Sequence, residues 1–230
     1  MDDKRGEHRR TYDFLLARLE RKVLPRLAAA LPGWVVPDHL TLLGLIASTG
    51  IGASYVLSNR HEDWLWLASA LLVVNWFGDS LDGTLARVRK IERPRYGFYL
   101  DHLMDAYSTF MIGMGLGFSP YMLLAVGLAI VIAYLLLSIN VYLETHVFGE
   151  FHLGYGLIGP TEVRVILIGL NTVALEWGPV PFGIRGYGAT VFDVFGVFAV
   201  FGMAVMLTVR AAGNLRTLAR LEPPRKGGTD

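Results

Sequence analysis

The sequence predicts an all-α, polytopic integral membrane protein: a six-transmembrane-helix bundle with an N-terminal amphipathic interfacial helix. Three observations lead there. Of the 230 residues, 53% are hydrophobic and 18% charged, against about a quarter charged in soluble chains. The mean hydropathy is +0.43, which excludes a disordered chain. The apolar residues also fall into six runs, each close to the roughly 20 residues that cross a bilayer core. Cysteine is absent, which excludes a disulfide-stapled scaffold, and a formal net charge of +1 supplies no field for nucleic acid.

The first element is the amphipathic one. Between Tyr12 and Leu31, the residues Leu15, Leu16, Leu19, Val23, Leu24 and Leu27 share a helical face, with Arg18, Arg21, Lys22 and Arg26 mostly opposite. That pattern suits either anionic cytoplasmic lipid or packing on the bundle itself. Pro25 is expected to kink or split this helix. Pro37-Asp38-His39-Leu40-Thr41 reads as the start of the first span, with Asp38 as N-cap. The six spans then run from Leu40 to Leu57, Trp64 to Leu81, Gly97 to Gly117, Tyr121 to Val141, Val163 to Trp177 and Thr190 to Val209. Short links suit antiparallel neighbours in a compact bundle. One membrane-embedded domain is therefore expected over 1–230, with 1–37 the amphipathic segment, 38–210 the bundle and 211–230 a basic tail.

Lys and Arg set the orientation. Eight precede the first span, five follow the second (Arg87, Arg89, Lys90, Arg93 and Arg95) and five belong to the tail, whereas Arg60 and Arg185 alone fall on the other side. Both termini of this multi-pass cell-membrane protein are expected to be cytoplasmic. No apolar h-region follows the basic opening run, so no cleavable signal peptide is expected.

Ionisable groups inside or at the ends of spans are costly in hydrocarbon and are functional-site hypotheses by default. Four such carboxylates fall within 27 residues, leaving aside Glu92 of the intervening link. Asp79 and Asp82 are three apart near the cytoplasmic end of the second span, and Asp101 and Asp105 four apart at the cytoplasmic start of the third, so each pair shares one helix face. Four converging carboxylates repel and protonate unless cations neutralise them. Two divalent ions would do so. All-oxygen ligation points to Mg²⁺ or Mn²⁺, and two such ions form the clamp that serves phosphoryl displacement. Gly83 and Gly97 leave the backbone open to a flat base or phosphate, Ala86 is small, and Arg87 offers a bidentate phosphate donor. A transporter with an intramembrane carboxylate cluster is the distant alternative. Such proteins show internal repeats and broken helices near the midplane; here no repeat is evident and the carboxylates lie at the cytoplasmic ends.

The full pattern is Asp79-x2-Asp82-Gly83-x2-Ala86-Arg87-x9-Gly97-x3-Asp101-x3-Asp105. Eight fixed positions at ordinary residue frequencies match by chance on the order of 10⁻⁹ per register. The pattern resembles the signature of the CDP-alcohol phosphotransferase family of integral membrane enzymes. That resemblance implies a six-helix bundle, usually homodimeric, whose site opens to the cytoplasm and to membrane lipids. It implies transfer of a phospho-alcohol or phosphatidyl group from a CDP-linked donor to an alcohol or lipid acceptor, with release of CMP. It further implies that Asp79, Asp82, Asp101 and Asp105 hold two Mg²⁺ or Mn²⁺, that Asp82, Gly83, Ala86, Arg87 and Gly97 line the nucleotide site, and that Asp105 takes the acceptor's proton.

Two further features resemble the choline/ethanolamine phosphotransferase branch, in which a phospho-aminoalcohol passes to diacylglycerol: His102 between the last two aspartates, and Glu162 in Thr161-Glu162-Val163-Arg164. In that branch a histidine and a glutamate at these places activate the lipid hydroxyl. That branch usually carries Gly-Cys where Leu103-Met104 stands and Gln where Arg164 stands. The alternative branch uses CDP-diacylglycerol with serine, inositol phosphate or glycerol phosphate. Phosphorylated acceptors need a second basic cluster, and the spans offer only Arg164 and Arg210.

Overall fold

A computed structural model describes residues 15–149, 159–179, 181–184 and 187–223. These form seven helices and one small hairpin: α1 (Ala17–Ala30), α2 (Pro37–Leu57), α3 (Trp64–Arg89), α4 (Pro94–Gly117), α5 (Leu124–Phe148), α6 (Pro160–Trp177), β1 (Pro181–Ile184), β2 (Tyr187–Thr190) and α7 (Val191–Leu221). Among the described residues, α2, α3, α5 and α7 are each long and apolar enough to cross a membrane. The remaining two long helices carry charges: Asp101 and Asp105 on α4, and Glu162, Arg164 and Glu176 on α6.

Several boundaries differ from the sequence expectation. Pro37 opens α2 as its first residue and Val36 is the cap, so Asp38 lies in the first turn; a proline's fixed φ is pre-organised for that position. Asp38 instead pairs with Arg93. Helix α3 continues past Leu81 to Arg89 and ends on Lys90 in the left-handed conformation, with φ 57°. The stretch carrying Asp82, Gly83, Ala86 and Arg87 is therefore helix rather than link. Pro25 lies within α1 without ending it. In the link after α6, β1 and β2 pair antiparallel from Pro181↔Thr190 to Ile184↔Tyr187, a hairpin that the sequence reading lacks.

Packing centres on α2, which contacts both α3 and α4; α4 then packs on α5, α5 on α7, and α3 on α1 and α6. The α2 crossings depend on glycines because the backbones nearly touch. A Cβ at Gly78 would lie 2.5 Å from the Leu40 carbonyl oxygen of α2, and one at Gly115 would lie 2.6 Å from Gly52 Cα. Small residues permit such close approach between membrane helices, where burial against water supplies no drive.

Two buried clusters hold the bundle. One gathers Ile51, Tyr55, Leu65, Leu72, Leu116, Tyr121, Leu170 and Phe192, and within it the Tyr55 hydroxyl donates to Asn171 Oδ1 at 3.1 Å. The other joins α1 to α3 through Leu24, Ala28, Val35, Leu40, Leu81 and Leu85. The part of α1 that carries Leu24, Leu27 and Ala28 packs on the bundle, while Leu15 and Leu19 are exposed together with Arg18, Arg21, Lys22 and Arg26. Polar ties hold both ends of α1. Glu20 Oε1 accepts from Trp76 Nε1 at 2.8 Å and from Thr161 Oγ1 at 2.6 Å. At the other end, Arg89 donates to the carbonyls of Leu31, Pro32, Gly33 and Val35.

Candidate active site

Helical spacing places the site. On α3, Asn75, Asp79 and Asp82 follow one another at four and three residues, and on α4 so do Asp101, Met104 and Ser108 at three and four, each set forming one face. Helix α2 supplies Thr41, Gly44 and Leu45 between them. These nine residues line one cavity. Asp79, Asp82 and Asp101 therefore share a space, and Asp105 lies within electrostatic reach of all three and of Arg164. Helices α3 and α4 are brought to this cavity by α2, their common packing partner, rather than by the α3–α4 link alone.

Each carboxylate of α3 is held. Asp82 Oδ2 accepts from Thr41 Oγ1 at 2.7 Å and Oδ1 from the Gly83 backbone N–H. Asp79 Oδ2 accepts from Arg164 Nη2 at 2.7 Å. The same guanidinium donates through Nε to Asn75 Oδ1 at 2.8 Å, and Asn75 Nδ2 donates to the Gly44 carbonyl at 3.0 Å. A chain of hydrogen bonds thus runs from α2 through α3 to α6 and ends on Asp79. Orienting partners of this kind set the direction of a ligating or reacting carboxylate. Sequence reasoning placed neither Thr41 nor Asn75 in the site, and it weighed Arg164 only as a ligand for a phosphorylated acceptor rather than as a partner of Asp79. The available signal was Asn75 at i−4 from Asp79 on a buried face.

The nucleotide candidates lie beyond the carboxylates, toward the α3–α4 link. Gly83 is next to Asp82, and the Arg87 guanidinium folds back over it, donating from Nη2 to Thr84 Oγ1 at 3.0 Å. A Cβ at Gly83 would meet Arg87 Nη1 at 3.4 Å. Ala86 is half-buried and Arg87 exposed. Gly97, in the first turn of α4, has open space around it, and a Cβ at that position would meet nothing within 4 Å. Arg93, the residue before α4, pairs with Asp38 of α2 and lies 3.9 Å over the Tyr96 ring.

His102 and Glu162 stand outside the cavity lining. His102 is beside Asp101, with Nδ1 3.6 Å from Asp101 Oδ2 and 2.8 Å from the Phe98 carbonyl, and its ring packs between Phe98 and Tyr142. Glu162 is buried in the first turn of α6, where Oε2 accepts from the Gly159 N–H at 2.9 Å and Oε1 from the Leu16 N–H at 2.7 Å. Both of its oxygens are committed to backbone in this conformation.

The donor set, four carboxylates without a thiol, fits hard divalent cations. The side chains stand apart, however: among the described residues no three His, Asp or Glu groups converge on one point. Arg164 supplies the cation that touches Asp79.

Compared with known families, residues 34–210 match the family model of CDP-alcohol phosphatidyltransferase. The chain belongs to that family. Similar CDP-alcohol phosphatidyltransferase relatives include the CDP-diacylglycerol–glycerol-3-phosphate 3-phosphatidyltransferase of Cereibacter sphaeroides, 31% identical over 100 residues, which are 41% of this chain and 44% of that protein. Cholinephosphotransferase 1 of Danio rerio is 26% identical over 191 residues, 76% of this chain and 48% of the relative. The bifunctional IPC transferase and DIPP synthase of Archaeoglobus fulgidus is 22% identical over 173 residues, 71% and 34% of the two chains. This chain spans less than half the length of each of these relatives.

Proposed function

We propose that the protein is a metal-dependent transferase that moves a phospho-alcohol group from a CDP-linked donor to an alcohol acceptor and releases CMP. The observation that carries this reading is that Asp79 and Asp82 of α3 share one cavity with Asp101 of α4, with Asp105 within reach, in a chain of this family. Asp79, Asp82, Asp101 and Asp105 would hold two Mg²⁺ or Mn²⁺, which when bound neutralise the donor diphosphate and the departing CMP. Gly83, Ala86 and Gly97 leave room for the cytidine and diphosphate, and Arg87 unfolds from Thr84 to pair with a phosphate. Asp105 takes the proton of the acceptor hydroxyl, because an alcohol is a poor nucleophile without a base in reach. The acceptor oxygen then bonds to the distal phosphorus of the donor, the bond to the bridging oxygen breaks, and CMP leaves with the electron pair.

For the acceptor we favour diacylglycerol, with CDP-choline or CDP-ethanolamine as donor. His102 beside Asp101 supports this, as does the extent of the match to the Danio rerio cholinephosphotransferase. Arg164 of α6 and Arg210 of α7 are also paired with carboxylates, Asp79 and Glu144 respectively, so a phosphorylated acceptor would have to compete for them. The second reading, phosphatidyl transfer from CDP-diacylglycerol to a small polar alcohol, is favoured by the 31% identity to the Cereibacter sphaeroides phosphatidyltransferase. The test is CMP release by purified protein given CDP-choline, CDP-ethanolamine and CDP-diacylglycerol in turn with matching acceptors. Release from none of them overturns the proposal. We further propose that α4 and α6 complete a six-span homodimeric subunit with cytoplasmic termini and α1 at the interface, which protease protection of tagged termini and cross-linking in bilayers would test.

A further inference from the structure

We propose that Tyr107, with Thr49 as its resting partner, forms a subsite that reads an acyl ester carbonyl of the glycerolipid substrate. The inference rests on the reading above, in which one substrate is a diacyl glycerolipid in either branch, as acceptor or as CDP-linked donor.

The α2–α4 seam that walls the cavity also faces outward. Along α2 the exposed stripe is Leu42, Ile46 and Thr49, and along α4 it is Leu103, Tyr107 and Phe110, each at spacings of three or four; Tyr107 is partly covered and the others are exposed. Each apolar stripe therefore contains one hydroxyl, and the two hydroxyls meet, Thr49 Oγ1 and Tyr107 OH lying 3.0 Å apart. A hydroxyl facing hydrocarbon is costly unless it is hydrogen-bonded. Thr49 donates to the Leu45 carbonyl at 2.9 Å, one turn back on its own helix. Its proton is thus committed to backbone, and the phenol proton of Tyr107 is left to donate to Thr49. Turning that proton to another acceptor exchanges one hydrogen bond for another and strands no group on Thr49.

The position suits an ester. The cavity that holds Asp79, Asp82 and Asp101 is also lined by Leu45 and Ser108, the first bonded to Thr49 and the second next to Tyr107. Thr49 is eight residues beyond Thr41, a rise of about 12 Å, and Tyr107 is six beyond Asp101, about 9 Å. A lipid whose glycerol end reaches the carboxylates carries its ester carbonyls a few bonds further along this seam, with the chains continuing past Ile46 and Phe110. The pair is a polar gap in an apolar wall on that path.

The experiment compares ester and ether lipids. Full-length protein in nanodiscs is titrated with dioleoylglycerol and its diether analogue, and with CDP-dioleoylglycerol and its diether analogue. Binding is followed by native mass spectrometry, and KM is measured with whichever pair supports CMP release. Wild type should favour the diester by up to about fivefold, the worth of one hydrogen bond being the ceiling because the Thr49 bond is given up in exchange. Tyr107→Phe should bring the ratio to one by weakening the diester alone. Thr49→Val should keep or raise the preference, since it leaves the phenol proton unparked. A merely structural clasp would make the two variants alike and treat both lipids alike. Equal binding of diester and diether by wild type, or an unchanged ratio in Tyr107→Phe, overturns the inference. Failure of every donor to release CMP overturns the proposed function instead, while the binding ratio still decides this subsite.

Discussion

Gly78→Ala tests whether the α2–α3 crossing is what aligns the carboxylates. The new Cβ would stand 2.5 Å from the Leu40 carbonyl oxygen and 2.8 Å from the Gly44 nitrogen, where ordinary contact begins at 3.4 Å. Both partners are backbone atoms inside α2 and cannot rotate away. The helices must therefore part by about 0.9 Å at this level, and overpacking of that kind costs roughly 1–3 kcal/mol. For a chain of this size that corresponds to a Tm lower by roughly 2–12 °C. Asp79 is the next residue, and Asp82 is held to α2 by the 2.7 Å bond from Thr41. Parting the helices stretches that bond beyond hydrogen-bond range, and a misplacement of about 1 Å at a reacting centre costs on the order of 10²-fold in rate. Thermal unfolding and CMP release from the same nanodisc preparation read both effects. Gly97→Ala is the matched control, because its Cβ meets nothing within 4 Å: Tm should stay unchanged while CMP release slows if substrate passes that backbone. Wild-type Tm together with wild-type turnover in Gly78→Ala would refute the reasoning.

Other expectations concern the site and its supports. Asp82→Asn and Asp105→Asn should abolish CMP release in protein that still folds, and both should weaken Mn²⁺ binding measured by electron paramagnetic resonance. EDTA should silence the wild type and Mg²⁺ or Mn²⁺ restore it; turnover that survives chelation would remove the metal from the proposal. His102→Ala should cut the rate with diacylglycerol by a factor of about 10² or more if the ring serves as acid or base, and near-normal turnover would favour the CDP-diacylglycerol branch. Glu162→Ala should lower Tm whichever branch is correct, since it strands the buried N–H groups of Leu16 and Gly159 at roughly 1–3 kcal/mol; a large loss of rate without loss of Tm would instead give Glu162 a chemical role. Arg89→Ala should loosen α1 from α3, seen as faster amide exchange over Leu31–Val35, whose carbonyls it collects.

Much of the chain was legible before its structure. Periodicity and hydropathy located every long helix, because a run of apolar side chains must be satisfied along its whole length by backbone hydrogen bonds and an apolar surround. The carboxylate pairs were legible because charge in a span is rare and its helical spacing is fixed by geometry. Less legible were the helix ends. The polarity of Asp82, Thr84 and Arg87 resembles a link, yet α3 runs on to Arg89 because Leu81 and Leu85 bury against α1 and carry the polar residues with them.

The amino-acid order by itself determined which residues could do chemistry: four aspartates on two helix faces, with small residues and an arginine beside them. Only the tertiary structure decided how those faces meet, since α2 lies against both helices at contacts so close that glycine alone fits. It also decided that Arg164 reaches Asp79 across 85 residues of chain and that Glu162 turns one oxygen to the backbone at the start of α1. Spacing along one helix is a local property that a sequence displays. Which side chain neutralises a carboxylate from another helix depends on crossing distances and free space, and these exist only once the bundle has packed.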